Sequence, residues 1–338
     1  MTRFLLVRLG ALGDVVHAIP VAAALRRTFP DARIDWLVSP KYREFLELVG
    51  AVDHAVPLEG SLLASVGALR RTKYDVAIDL QGLLKSAALA RGSGAARVLG
   101  FSPRFLREPL ARVFYTERHE PAGAAMLETG EAMHVVRANL SLLGPLGVTE
   151  AEPEFPIARR ESAVARALAD RTGGRYVVLN PGAGWPNKRW PAPRFGDLAR
   201  AVHARYGLRS VVVWGPGEED LAHEVVAAAG DAVALAPPTT IADLVAILGG
   251  AVLMVAGDTG PFHLAAALGT PVIGIYGPTR PDRNGPFSAA DLTVSRHATC
   301  QCLYRRACRL ETMCLAEIGV HEVLGAIERR FSLERAHA

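Results

Sequence analysis

Three short segments combine residue types that can do chemistry at spacings that bring them together. In RLGALGDVVHAIP an apolar run ends at Arg8, Gly10 and Gly13 follow, and Asp14 falls in the first turn of an expected helix. Glycines there permit a tight turn and close approach of a ligand, and a helix start presents free N–H groups. Asp14 reads either as a helix cap or as a base facing a cleft, and its position alone fits both. The Gly-x-Gly-x-x-Gly fingerprint is absent, and Asp14 would set a carboxylate where a dinucleotide pyrophosphate belongs, which argues against a nicotinamide-dependent oxidoreductase.

The second segment, LNPGAGWPNKRWP, follows an apolar strand. The backbone amides around Gly182, Ala183 and Gly184, with the point charge of Lys188, form an anion cradle suited to a diphosphate. An ordinary turn with Lys188 and Arg189 in solvent is the alternative. In the third, VAGDTGPFHLAAALGTPVIGIYGPT, a strand ends at Asp258, Thr259 and Gly260, and a helix begins with His263 in its first turn. Such a helix start holds phosphate without a metal. Asp258 could then accept from sugar hydroxyls and His263 donate to a phosphate oxygen, or Asp258 or Thr259 could simply cap the helix.

All four cysteines, Cys300, Cys302, Cys308 and Cys314, crowd into 15 residues. In a reducing compartment such clustering reads as a structural zinc or iron site before disulfides. The single residue between Cys300 and Cys302 is tighter than the usual two to four, so free thiols stay open. The cluster is not assigned to catalysis.

These segments need parallel strands behind them. In the first half, strands are expected at Phe4–Arg8, Arg33–Val38, Val76–Leu80 and Arg97–Phe101, alternating with helices at Val15–Thr28, Pro40–Val49, Gly60–Arg71, Leu83–Arg91 and Glu128–Leu143. A Pro- and Glu-containing linker, GVTEAEPEFPIARR, follows. The second half repeats the alternation, with strands at Tyr176–Asn180, Ser210–Trp214, Ala232–Leu235, Ala251–Ala256 and Pro271–Tyr276. Helices are expected at Ala192–Tyr206, Glu218–Ala229, Ile241–Leu248, Phe262–Leu268 and Glu317–Arg330. A chain of 338 residues suits two α/β domains of roughly 150 to 170 residues. Ligands of such domains bind at the carboxyl ends of the strands.

Half the residues are apolar and 21% are charged, a globular composition. The N-terminal apolar run is broken by Arg8 and Asp14, so it reads as neither signal peptide nor span. The chain is expected to be cytoplasmic. The net charge of +4 is modest, but from Lys85 to Arg118 seven Lys or Arg residues stand against Glu108 and Glu117, which suggests a local basic face. No nucleic-acid-binding signature accompanies it.

In order along the chain, GALGDVVHAIP, YDVAIDLQGLLKSAAL, REPLARVFY, PGAGWPNKRWP, WGPGEED and GDTGPFHLAAALGTPVIGIYGPT resemble the lipopolysaccharide heptosyltransferases, glycosyltransferase family 9. Asp79–Ser86 and Arg107–Tyr115 resemble in particular the heptosyltransferase I branch. The resemblance implies an α/β GT-B fold, two Rossmann-like doubly wound domains facing each other across a cleft. An acceptor domain would span 1–155 and a nucleotide-sugar domain 156–316, with a terminal helix in 317–338 packing back on the first domain. It implies inverting, metal-independent transfer from ADP-L-glycero-β-D-manno-heptose to Kdo-lipid A by an enzyme peripheral to the inner membrane. Related transferases with an O-antigen or protein acceptor, and a non-catalytic nucleotide-sugar binder, are the alternatives.

Carried over by motif, Asp14 matches the catalytic base and Lys188 the phosphate-contacting lysine. Gly182 and Ala183 match the phosphate loop, and Asp258, Thr259, Gly260 and His263 the donor turn. Glu218 resembles the acid that holds the ribose, with Glu219 one step away as a rival. Gly13, Lys85 and Arg107 fall on the acceptor side. Two departures stand out. Ala183 and Gly184 replace the hydroxyl residues of the phosphate loop, and VPLEGSLLASVGALRRTKYD lacks the Arg-rich segment of heptosyltransferase I, which puts the acceptor in question more than the donor.

Overall fold

The computed structural model describes residues 1–125, 128, 130–149 and 152–337. They divide into two compact units, Met1–Ala158 and Arg159–Ala338. The first holds β1 (Arg3–Val7), β2 (Arg33–Val38), β3 (His54–Pro57), β4 (Val76–Asp79), β5 (Arg97–Phe101) and β6 (Glu117–His119). All pair in parallel, in the order 3-2-1-4-5-6. Helices cover both faces of such a sheet, so its central strands are apolar throughout rather than alternating. Phe4, Leu5, Leu6 and Val7 of β1 are accordingly all buried.

The second unit repeats the design with β7 (Tyr176–Asn180), β8 (Arg209–Val212), β9 (Val233–Leu235), β10 (Leu253–Gly257), β11 (Val272–Tyr276) and β12 (Leu292–Ser295). Its order, 9-8-7-10-11-12, is the same winding counted from β7, again all parallel. Each sheet reverses direction beside its first strand, so the ends of β1 and β4, and of β7 and β10, border a crevice.

Several elements differ from expectation. The helix expected over Pro40–Val49 is a 3-10 turn, Pro40–Tyr42, followed by the single α turn Arg43–Leu46. The one expected over Glu128–Leu143 begins only at Val135 and ends at Ser141; Thr129 of that stretch lies outside the described residues. Glu150 and Ala151 of the expected linker also lie outside them. The rest of that linker is not free: the Gly50 amide donates to Pro156 O (2.9 Å) and the Ala158 amide to Leu48 O (2.8 Å). An unforeseen helix, Ala163–Thr172, follows, capped by Ser162 and buried only at Leu168 and Thr172.

The last helix, Val320–His337, inserts Val323, Ala326 and Ile327 into the core of the second unit. It packs on the helix Ala192–Tyr206 and on β12, with Phe331 edge-on to Tyr206 at 5.3 Å. Trp190 ties its start to the site loop. The indole is 1% exposed, stacks edge-on against Phe195 (4.9 Å) and donates from Nε1 to Ile318 O (2.9 Å), a carbonyl that also accepts from Arg194. Trp190→Ala should therefore destabilise the second unit by ~3 to 5 kcal/mol through the cavity it leaves. Trp190→Phe should cost about 1 kcal/mol for the lost donor, because Arg194 keeps the carbonyl satisfied. Urea denaturation followed by a probe in the second unit tests both; equal losses would contradict this account.

Candidate active site

In the second unit Asn180, the last residue of β7, joins the two loops of the crevice. Its side-chain amide donates to Thr259 Oγ1 (3.3 Å), and its Oδ1 accepts from the Gly182 amide (3.2 Å). Thr259 Oγ1 accepts from the Phe262 amide (3.4 Å) and caps the helix Gly260–Ala267, so the cap is Thr259 and Asp258 is left for other contacts. Asp258 spends them on two groups: Lys188 Nζ donates to Oδ2 (2.6 Å), and His263 Nε2 lies 2.8 Å from Oδ1. Asp258 and His263 thereby hold each other.

This trio is nearly closed to water, with side-chain exposures of 15% for Lys188, 6% for Asp258 and 5% for His263. Burial alone would raise the Asp258 carboxyl, but the hydrogen bond from His263 and the charge of Lys188 outweigh it and hold the group well below the usual carboxylate range. The Lys188 ammonium also sits over the Trp185 ring at 4.4 Å. Gly257 makes room for this arrangement: a Cβ there would lie 2.6 Å from the Lys188 carbonyl.

Glu218 closes the cradle. Its carboxylate accepts from the Gly215 amide (3.1 Å) and lies over Gly182, where a Cβ would come within 2.0 Å of Oε2. Glu219 begins the following helix and is exposed, so Glu218 is the acid that the structure brings to the loop. Ala183 is buried and Gly184 exposed; among the described residues their amides have no hydrogen-bond acceptor.

In the first unit Asp14 is the third residue of the helix Leu12–Thr28. Its Oδ2 accepts from the Ala11 amide (3.1 Å), which is half of a capping box, and its Oδ1 pairs with Arg8 Nη2 (2.7 Å). The carboxylate remains 40% exposed, so cap and accessible acid coexist in one side chain. Gly13, expected in the loop, lies inside the helix and is buried. Arg8 also donates to Leu80 O at the end of β4, and its own carbonyl accepts from Trp36 Nε1 (3.1 Å).

Beside it Asp79 ends β4, fully buried. It accepts from the amides of Gln81 (2.9 Å) and Gly82 (3.3 Å) and from the hydroxyls of Ser86 (2.9 Å) and Tyr115 (2.8 Å). Burial dominates those bonds and pushes its pKa up. Gln81 in turn accepts from the Leu9 amide (2.7 Å) and so fixes the loop that leads into the helix of Asp14. Lys85 is exposed in the first turn of the helix Leu84–Gly92. Arg107 is exposed between Leu106, packed on Gly82, and Glu108, whose carboxylate accepts from the Leu84 amide (2.7 Å). The structure thereby sets Lys85 and Arg107 after the carboxyl ends of the neighbouring strands β4 and β5. Arg8, Gln81 and Asp79 are contributions the sequence reading missed. A buried-type strand ending in Asp-x-Gln-Gly was the available signal for the last two.

The cysteines gather in one place. Cys302 Sγ lies 3.4 Å from Cys308 Sγ, and Cys300, Cys308 and Cys314 line one small cavity with Thr299, Thr312 and Glu317. Among the described residues no group of three or more His, Cys, Asp or Glu side chains is placed to hold a metal ion. The loop is anchored beside the site, since Tyr304 N donates to Pro278 O (2.7 Å) and Asn187 Nδ2 to Arg305 O (2.9 Å), next to Lys188.

The family description "Glycosyltransferase family 9 (heptosyltransferase)" matches residues 63–314. Lipopolysaccharide heptosyltransferase 1 of Pseudomonas aeruginosa is 29% identical over 321 residues, 90% of this chain and 87% of that protein. The same-named protein of Escherichia coli K12 is 29% identical over 302 residues, 84% and 91% of the two chains. Among solved structures, E. coli heptosyltransferase WaaC with ADP matches with a TM-score of 0.75 and 26% identity, covering 97% of this chain and all of that one. WaaC with ADP-2-deoxy-2-fluoro heptose matches at 0.72. With three quarters of its length matched by one description and two Rossmann-like units of the GT-B type, this chain is a member of glycosyltransferase family 9.

Proposed function

We propose that the protein transfers heptose, with inversion, from ADP-L-glycero-β-D-manno-heptose to the Kdo region of lipid A. It would act at the cytoplasmic face of the inner membrane and without a metal in the chemical step. The observation that carries this reading is the buried Lys188–Asp258–His263 trio beside a helix N-terminus, which fixes an ammonium and backbone hydrogen-bond donors where a departing diphosphate would need them. The relatives named as lipopolysaccharide heptosyltransferase 1, and one solved with an ADP-heptose analogue, support an ADP-heptose donor and a lipopolysaccharide acceptor.

In this reaction Asp14 takes the proton of the acceptor hydroxyl as that oxygen bonds to the anomeric carbon and the bond to ADP breaks. Arg8 orients Asp14. Lys188, held by Asp258, and the amides of Ala183, Gly184 and Gly260 stabilise the charge left on ADP, while Glu218 binds the ribose hydroxyls. Lys85 and Arg107 line the acceptor side, the two cations facing acidic groups of the Kdo region.

Asp14→Asn tests the base. An amide still accepts from the Ala11 amide and loses only a half-exposed ion pair, so melting should shift by the equivalent of ~1 kcal/mol or less. Turnover at saturating donor should fall roughly 10²- to 10⁴-fold with donor affinity within a few-fold. Near-normal single-turnover rates would refute the assignment. Lys188→Ala should lose ~2 to 4 kcal/mol of transition-state stabilisation in kcat/KM; an unchanged value would leave Lys188 as an element of the fold alone.

The buried trio also predicts a pH dependence. A carboxyl whose folded pKa is depressed contributes stability fully above its unfolded value, about 3.9, and loses it as pH falls through that value toward the folded one. The stability gap between the wild type and Asp258→Asn should therefore narrow as pH is lowered from about 5 to about 3. Urea titrations across that range measure it, and a constant gap would mean that Asp258 is not held ionised by its partners.

A further inference from the structure

Three neighbouring elements of the first unit turn apolar side chains outward. In the helix Leu62–Arg70 only Ser65 and Leu69 are buried, while Leu63 is 84% exposed and Leu62 is exposed beside it. This helix lies on the helix Leu84–Gly92: Arg70 Nε donates to Gly92 O (2.9 Å), and a Cβ at Gly92 would strike Val66 at 2.6 Å. On the other side Leu84–Gly92 packs against the 3-10 helix Pro109–Phe114, where Leu110 is 65% and Val113 69% exposed. With exposed Leu84, these elements carry five of the ten large apolar side chains exposed among the described residues. Such clustering marks a contact surface rather than scattered surface residues.

The charge around it is mostly positive, with six cations against exposed Glu59 and half-exposed Glu108. Arg70, Arg71, Lys85, Arg91, Arg107 and Arg112 are all exposed, and none forms an ion pair among the described residues. Other cations of the Lys85–Arg118 run are neutralised, Arg97 by Glu117 and Arg104 by Glu120 and Glu128. Glu108 is turned onto the Leu84 amide. No described helix is long and apolar enough to cross a membrane. Apolar tips ringed by unpaired Arg and Lys are the chemistry that seats a protein on an anionic lipid surface, with the tips entering the headgroup boundary and the cations meeting phosphate.

We infer that this face, formed by Leu62–Arg70, Leu84–Gly92 and Pro109–Phe114, docks the enzyme on an anionic phospholipid bilayer and so presents Lys85 and Arg107, at the carboxyl ends of β4 and β5, to a lipid-borne substrate. The inference deepens the function proposed above and rests on it for the identity of that substrate. The test sediments the full-length protein with vesicles of phosphatidylcholine alone or containing about 30% phosphatidylglycerol, with no substrate present. Transfer to a deacylated, soluble acceptor is measured separately, without vesicles.

The wild type should partition about tenfold more strongly onto the anionic vesicles, and less as salt is raised. Leu63→Glu combined with Val113→Glu should lose about tenfold or more of that binding, with soluble transfer within about twofold of wild type. The double variant Arg91→Gln, Arg112→Gln, which leaves the apolar tips intact, should lose the preference for anionic lipid alone. Leu310→Glu, an exposed apolar position of the second unit, should bind as wild type does. Indifference of the wild type to both vesicles would overturn the inference, as would full binding by the Glu double variant. A wild-type dimer dissolved by the same Glu substitutions would overturn it in favour of a second copy of the chain. Vesicle binding without any soluble transfer would instead retain this surface and reject the proposed reaction.

Discussion

A parallel sheet wound outward from its first strand in both directions has to open at one place. Right-handed crossovers carry one set of helices to one face and the other set to the opposite face. Between the first and fourth strands no connection closes the top, and loops from both strands border the gap. This happens once at β1 and β4 and again at β7 and β10, so Asp14 and Asp79 share one crevice, and the Gly182 loop and Asp258 share the other. Nothing local in RLGALGD or PGAGWPNK demands these neighbours. The winding order supplies them, and the polar bonds of Asn180, Gln81 and Asp79 then hold the loops in register.

Most of that winding was readable. The central strands are continuous apolar runs bounded by Gly, Pro and Asp, and the strand expected at Tyr176–Asn180 agrees with β7 residue for residue. The strands that escaped, β3 (HAVP), β6 (ERH) and β12 (LTVS), all lie at sheet edges. An edge strand has only one neighbour and needs little apolar content, so it leaves a faint trace in sequence. The helix Ala163–Thr172 was hidden for a similar reason. It buries two side chains, and its polar remainder reads like the linker before it.

At the sites, residue types were more legible than partnerships. Lys188 and Asp258 were each visible in a motif, but 70 positions separate them, and only the pairing of β7 with β10 makes them neighbours. The choice between cap and acid at Asp14 dissolved because one carboxylate oxygen serves the helix and the other meets Arg8. For Thr259 and Asp258 the same choice was resolved by division of labour, with the hydroxyl capping the helix and the acid gathering two donors. The basic run from Lys85 to Arg118 looked uniform in sequence. In the fold it separates into cations spent on neighbouring acids and cations left facing outward.

Gly182 and Glu218 occupy one volume. The glycine lacks the left-handed backbone conformation that usually explains why a glycine is needed; what excludes a side chain there is the carboxylate of a residue 36 positions away. The two sites are therefore epistatic. A methyl group at 182 becomes tolerable once the acid at 218 is shortened or swung aside, so either change alone and both together need not have additive effects. A lineage that enlarges the loop residue first must give up the acid over the loop, whereas one that replaces the acid first frees the glycine to vary. The order in which mutations arrive would decide which donor chemistries remain reachable from this scaffold.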